Sequence, residues 1–233
     1  MKTIGLIGGM SWHSSAEYYR LINEGIQQKL GGLHSAKIIL YSIEFDEIHR
    51  LQHAGEWDQA GAILAGAAQR LQSAGADFIL IGTNTMHICA PQVEAAVDIP
   101  LLHIADTTAD AILQQGIHKA GLLGTAFTMQ MDYYKSRLID KGLDVIVPDD
   151  KGCELVNRVI FDELCFGDIR DLSRRQYLQI IDELTTQGAQ GVIEGCTEIS
   201  LLVKQSDTAV RLFDTTTIHA QAAVDFALSN QIS

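Results

Sequence analysis

Ala74-Gly75-Ala76-Asp77-Phe78-Ile79-Leu80-Ile81-Gly82-Thr83-Asn84-Thr85 and Gln187-Gly188-Ala189-Gln190-Gly191-Val192-Ile193-Glu194-Gly195-Cys196-Thr197-Glu198 share one pattern. In each, a helix-ending Gly-Ala leads into a short apolar strand that stops at a glycine. Gly75 precedes Thr83 by eight residues, and Gly188 precedes Cys196 by eight. Two further pairs keep the same order. Ile4-Gly5-Leu6-Ile7-Gly8-Gly9 resembles Ala120-Gly121-Leu122-Leu123-Gly124-Thr125, and Asp106-Thr107-Thr108 resembles Asp214-Thr215-Thr216. The offsets are 116, 113 and 108 residues. Three matches in order read as an internal duplication.

Working outward, short apolar runs alternate with longer stretches of helical period. Strands are expected at Thr3–Ile7, Lys37–Ser42, Asp77–Ile81, Leu101–Ile104, Ala120–Leu123, Asp144–Val147, Gly191–Ile193 and Ala209–Phe213. Ile63, Leu64, Ala67, Ala68 and Leu71 recur at helical spacing, and Gly75 sits where a helix-ending glycine belongs. Ser14-Ser15-Ala16-Glu17 fits a capping box with Ser14 as N-cap. Strand then helix, repeated, predicts an α/β protein of two similar lobes, each a mostly parallel sheet flanked by helices and related by a pseudo-two-fold. The expected boundaries are 1–99 plus 208–233 for lobe one and 100–207 for lobe two. Parallel α/β sheets bind ligands at the carboxyl ends of their strands. Thr83 and Cys196 are therefore expected at equivalent strand ends across a cleft between the lobes.

Composition narrows the function classes. The chain has 233 residues, 47% of them hydrophobic and 20% charged, enough for real cores and too apolar for disorder. A net charge of −12 argues against nucleic acid and anionic membranes as partners, while leaving room for a small anionic substrate. The opening Met1–Gly9 run lacks the length of a signal h-region, and no later run approaches the roughly 20 apolar residues of a span. Cys89, Cys153, Cys165 and Cys196 show no Cys-x-x-Cys spacing, so a cytoplasmic setting is expected.

Several motif readings fail. Gly5-x-x-Gly8-Gly9 lacks the dinucleotide fingerprint and no Gly-Lys-Ser/Thr follows, so no cofactor site is expected. His49 and His53 stand four apart without His-Glu-x-x-His or a third ligand, so no metal site is expected either. A Gly-x-Ser-x-Gly elbow is absent. What remains is Cys196 at a strand end, before a segment expected to open a helix. A thiol near pKa 8.5, lowered further by a helix N-terminus, suits proton abstraction, whereas a buried cysteine can equally be inert packing.

Gly195-Cys196-Thr197-Glu198-Ile199 resembles the second cysteine motif of the aspartate/glutamate racemase superfamily, in its aspartate racemase-like branch. Gly82-Thr83-Asn84-Thr85-Met86-His87 resembles the first motif, which in most members reads Cys-Asn-Thr-x-His, and Gly8-Gly9-Met10-Ser11-Trp12 also resembles this branch. Glu198 stands where glutamate racemases usually carry a histidine. The resemblance spans nearly the whole chain. It implies cofactor-independent racemisation of aspartate or glutamate, homodimers, and two groups that alternate as base and acid. The substrate would be held by Met10, Ser11, Asn84, Thr85, Thr125, Thr128 and Thr197.

The sequence departs from the pattern twice. Thr83 replaces the first cysteine, and a hydroxyl is a poor base near neutral pH. Cys196 is then expected to abstract the α-proton and Thr83 to donate to the other face, with unequal rates from the two enantiomers. Cys165 stands where many aspartate racemases carry a lysine for the distal carboxylate; Gln52 or Arg50 could serve instead. The alternatives are a single-cysteine decarboxylase, a maleate isomerase-like enzyme, or a non-catalytic amino-acid-binding protein.

Overall fold

The computed structural model describes residues 1–229. The elements run β1 (Ile4–Gly8), α1 (Trp12–Leu30), β2 (Ile38–Ser42), α2 (Phe45–Ala54), α3 (Trp57–Ser73), β3 (Phe78–Ile81), α4 (Ala90–Ala96), α5 (Ile104–Leu113), β4 (Lys119–Gly124), α6 (Ala126–Gln130) and α7 (Asp132–Asp140). They continue with β5 (Asp144–Ile146), α8 (Asp150–Asp162), α9 (Asp171–Thr186), β6 (Gly191–Gly195), α10 (Ile199–Leu202), β7 (Arg211–Asp214) and α11 (Thr215–Leu228). Short 3₁₀ turns cover Thr85–Cys89 and Leu164–Phe166. The chain divides into two compact units, one of residues Met1–Ile104 and His219 onward, the other Ala105–Ile218.

In the first unit the sheet order is β2-β1-β3, all parallel. Side chains on a strand alternate between faces, and the sequence uses both. Ile4, Leu6, Phe78 and Leu80 pack with Tyr18, Ile22 and Ile26 of α1 and Ala220, Ala223 and Val224 of α11. Ile7, Ile79 and Ile81 pack with Leu64, Ala67, Ala68 and Leu71 of α3. Unbroken apolar runs are what a parallel sheet covered on both faces requires. Each fully buried Ile, Leu or Phe contributes roughly 1.5–3 kcal/mol.

The second unit repeats the plan with order β5-β4-β6-β7, again parallel. Leu123 and Val192 pack with Val156, Val159 and Ile160 of α8 and Tyr177, Ile181 and Leu184 of α9. At the 113-residue offset β3 corresponds to β6, and the parallel bridge Ile79–Leu101 corresponds to the Val192–Leu212 pairing of β7. Leu101 is thus a one-residue remnant of a fourth strand, where a strand through Ile104 was expected.

Three expectations need correction. The Asp-Thr-Thr match is not structural, because Asp106 lies five residues past Leu101 while Asp214 lies two past Leu212. Asp214 caps α11 through the Thr216 and Thr217 amides, whereas Asp106 sits inside α5 and pairs with Arg137. The crossings between units fall later than 99 and 208, since Leu101 bonds to the first sheet and β7 to the second. The capping box is displaced as well. Ser11, not Ser14, caps α1 by accepting the Ser14 amide, and Glu17 pairs with Arg20. Gly75, by contrast, follows the α3 C-cap at φ +95°, as the sequence predicts.

His219 joins α11 to the rest of its unit. Its Nε2 lies 2.8 Å from the Leu102 carbonyl, which can only accept, so Nδ1 must accept from the Tyr18 hydroxyl at 2.7 Å. Burial lowers the pKa of this neutral ring to about 4, against a partial rise from the Leu102 carbonyl. Between pH 6.5 and about 4 the unfolded chain therefore binds the extra proton, and stability falls as pH falls. Urea midpoints across this range should show the parent losing on the order of 3 kcal/mol more than His219→Gln. Parallel pH profiles for the two proteins would contradict this.

Candidate functional site

In the first unit the site is built on the loops after β1 and β3. Gly9 turns at φ +92°, and a Cβ there would sit 2.1 Å from the Ile43 carbonyl oxygen, so only glycine fits. Its amide donates to Ser15 Oγ at 2.7 Å, and the following Met10–Ser11 peptide is cis. Met10 is buried in the α3-side core, while Ser11 caps α1. At the end of β3, Thr83 is half-buried, and Asn84, Thr85 and His87 are buried. His87 fixes this loop through a single tautomer. Nδ1 donates to the Thr83 carbonyl at 2.8 Å, which leaves Nε2 to accept the Ile104 amide at 3.3 Å.

The second unit presents the corresponding positions. The ends of β4 and β6 approach closely: a Cβ on Gly195 would lie 2.7 Å from the Leu123 carbonyl oxygen. Thr125 caps α6, its hydroxyl accepting the Thr128 amide at 3.3 Å, and Asn157 Oδ1 accepts the Ala126 amide at 2.8 Å. Thr128 is fully buried beside both strand-ending glycines, with Oγ1 3.3 Å from the Tyr133 hydroxyl. Beyond Gly195, Cys196, Thr197 and Glu198 are all half-buried, and Ser200 Oγ donates to the Thr197 carbonyl at 3.0 Å.

The thiol environment differs from the expected one. The helix after Cys196 is a single turn, Ile199–Leu202, too short to supply a useful dipole. Its nearest ionisable partner is an anion: Cys196 Sγ donates to Glu198 Oε2 at 3.0 Å. Burial, then the Glu198 charge and this hydrogen bond, push the thiol well above its ordinary range, and Cys165 adds to the rise. The resting site is a thiol beside a carboxylate, not a preformed thiolate.

Thr83, Asn84 and Thr85 thus share one strand end, and Thr125, Thr197 and Cys196 neighbouring strand ends of the other sheet. Gln52, on α2, is buried and its amide donates to Met86 Sδ at 2.9 Å. Arg50 is exposed and paired with Asp46, and Cys165 is exposed in the Leu164–Phe166 turn. The sequence reading missed Glu198 as the thiol partner, and missed Glu194 altogether. A carboxylate inside the buried run Gly191-Val192-Ile193-Glu194-Gly195 was the available signal.

A model of the family described as Asp/Glu/Hydantoin racemase matches residues 7–223. The chain is similar to the crystal structure of a candidate Asp/Glu racemase from Yersinia pestis, with 56% identity, TM-score 0.93, and coverage of 98% of this chain and 100% of that one. An aspartate racemase homologue from Pyrococcus horikoshii OT3 is 38% identical at TM-score 0.86, over 97% of this chain and 99% of that one. The broad specificity amino-acid racemase RacX of Bacillus subtilis (strain 168) is 24% identical over 98% of this chain and 99% of its own length. No helix among the described residues is long and apolar enough to cross a membrane.

Glu194, two residues before Cys196, is buried beside Asp214 of β7, and its Oε1 has no hydrogen-bond partner among the described residues. Burial, with Asp214 adding and Lys204 opposing, raises its pKa to about 8. The folded chain holds this proton up to about pH 8, while the unfolded chain releases it near 4.5. Stability therefore falls as pH rises through that window. Glu194→Gln should be more stable than the parent by on the order of 3 kcal/mol at pH 8 and nearly equal to it at pH 4.5, read from urea midpoints. A midpoint difference independent of pH would contradict the assignment.

Proposed function

Because the chain belongs to the Asp/Glu/hydantoin racemase family, we propose that it racemises aspartate and glutamate without pyridoxal phosphate or metal, passing the α-hydrogen between Cys196 and Thr83. The observation that carries this reading is the equivalence of the two positions. Each is the half-buried residue directly after a glycine at a strand's carboxyl end, Gly82 just past β3 in one sheet and Gly195 closing β6 in the other. Inversion at a tetrahedral carbon requires a proton acceptor on one face and a donor on the other. Cys196 as thiolate takes the α-proton. The electron pair left on Cα then takes a proton from the Thr83 hydroxyl, which recovers one from water.

Asn84, Thr85 and Thr197 flank these two groups and supply short polar donors for the substrate carboxylates, and backbone amides at Ser11 and Thr125 add to them. Gln52 and Thr128, engaged with Met86 and Tyr133, hold the frame. With Cys165 where a lysine is usual, the distal carboxylate is bound without a dedicated cation, which suits a site accepting both acids. The family resemblance carries with it a cytoplasmic, homodimeric enzyme.

A hydroxyl donates more readily than it abstracts, so the two directions are unequal. Initial rates by chiral chromatography should favour the enantiomer whose α-hydrogen meets Cys196; the resemblance assigns it as L. Cys196→Ala should lower kcat about 10²–10⁴-fold, and Thr83→Cys should bring the two directions closer together. Equal rates from L- and D-substrate in the parent, or an active Cys196→Ala, would overturn the assignment.

A further inference from the structure

We infer that Glu198 is the positioning residue that takes the thiol proton of Cys196, converting it to the thiolate that acts at Cα. This rests on Cys196 being the base of the proposed racemisation.

A cysteine becomes a base only as thiolate, and proteins reach that state by a neighbouring cation, a helix N-terminus or an adjacent base. Among the described residues no cation acts on Cys196, and the start of the following turn offers the sulfur only the Glu198 backbone amide, a smaller influence than burial and the Glu198 carboxylate. Among the described residues, the charged or titratable groups that act on the sulfur are Glu198 and Cys165, neither a cation. From α9, Tyr177 also senses Cys196, but its hydroxyl already donates to the Val156 carbonyl at 2.9 Å. The following helix is one turn long. The adjacent base remains. Glu198 Oε2 lies 3.0 Å from Sγ and accepts its hydrogen. The turn that sets this distance is itself tied, the Ile199 amide donating to the Cys196 carbonyl at 3.1 Å and the Leu201 amide to the Glu198 carbonyl at 3.0 Å.

The step moves one proton and no net charge. The Sγ–H bond breaks and an Oε2–H bond forms, so the negative charge passes from oxygen to sulfur within one hydrogen bond. Burial of a charge, already present as the carboxylate, therefore does not forbid the transfer. Burial and the neighbouring carboxylate favour the thiol, so the thiolate is a minor species. It forms and is consumed in place. The thiolate then takes the proton from Cα, re-forming Sγ–H, and Glu198 returns to carboxylate by releasing its proton to water. That release balances the proton Thr83 recovers from water. Nothing is oxidised or reduced.

The test pairs a thiol titration with turnover. Iodoacetamide alkylation of Cys196, with Cys196→Ala as the blank for the other thiols, is measured against pH in the parent, Glu198→Gln and Glu198→Asp. Glu198→Gln keeps a hydrogen-bond acceptor but neither charge nor basicity. It should move the alkylation midpoint to lower pH by at least a full pH unit while kcat falls about 10²-fold or more and KM changes little. Glu198→Asp should keep the high midpoint and recover part of kcat, which also covers the case in which the glutamine variant folds poorly. Glu198→Gln turning over at the parent rate, or an alkylation profile that coincides with the parent's, would overturn the proposal. If Cys196→Ala racemises, the underlying reading falls and this one with it; Cys196→Ala inactive with Glu198→Gln active removes the Glu198 role alone.

Discussion

A parallel strand that leads into a glycine delivers the next side chain to the carboxyl end of its sheet, and both proposed proton-transfer positions depend on that constraint. At β6 it is severe. Gly195 lies so close to the Leu123 carbonyl of β4 that a Cβ would approach to 2.7 Å, and Thr128 packs against the same point. Cys196 is thereby held at a fixed height over its sheet. Gly82 precedes Thr83 in the same way, with the looser approach of 3.3 Å to the Ile7 carbonyl. The cores beneath exist to hold these strand ends; the alternating Ile, Leu and Phe of β1 and β3 bind helices on both faces.

Around these positions the chain keeps titratable groups in the state that burial favours. His87 is a neutral ring locked by a carbonyl on one side and an amide on the other. Glu194 is a protonated acid up to about pH 8. Cys196 is a thiol facing a carboxylate. The low polarity that disfavours ionisation of the thiol also strengthens its hydrogen bond to the Glu198 carboxylate. A proton can then move between sulfur and oxygen without a change in net charge.

The plan of the fold was legible because duplication leaves a periodic trace. The Gly-Ala-strand-Gly pattern located β3, β6 and the residues after them, and helical spacing located α3. Other features turn on distances that sequence spacing does not carry. The Asp-Thr-Thr triplets do not occupy equivalent positions, because hydrogen bonding to Leu101 and Leu212 sets a register three residues apart from their match. Ser11 and Ser14 are both good caps, and only the path of the chain through Gly9 decides between them. Gln52, Thr125 and Thr128 read as donors, and sequence spacing does not carry their local contacts: the Gln52 amide donates to Met86, Thr125 accepts the Thr128 amide, and Thr128 meets Tyr133. The Cys196 shift runs opposite to the expectation that a helix start lowers it: burial raises it, and a carboxylate two residues on adds to the rise.

The central claim is that the thiol of Cys196 removes the α-hydrogen of an amino acid. Proton NMR of L-aspartate incubated with the protein in deuterium oxide reads this directly, through loss of the Cα–H signal. The parent should replace that hydrogen with deuterium and yield deuterated D-aspartate, while Cys196→Ala leaves it in place. A parent that binds aspartate and leaves its α-hydrogen untouched, or a Cys196→Ala variant that exchanges it at the parent rate, would contradict the claim.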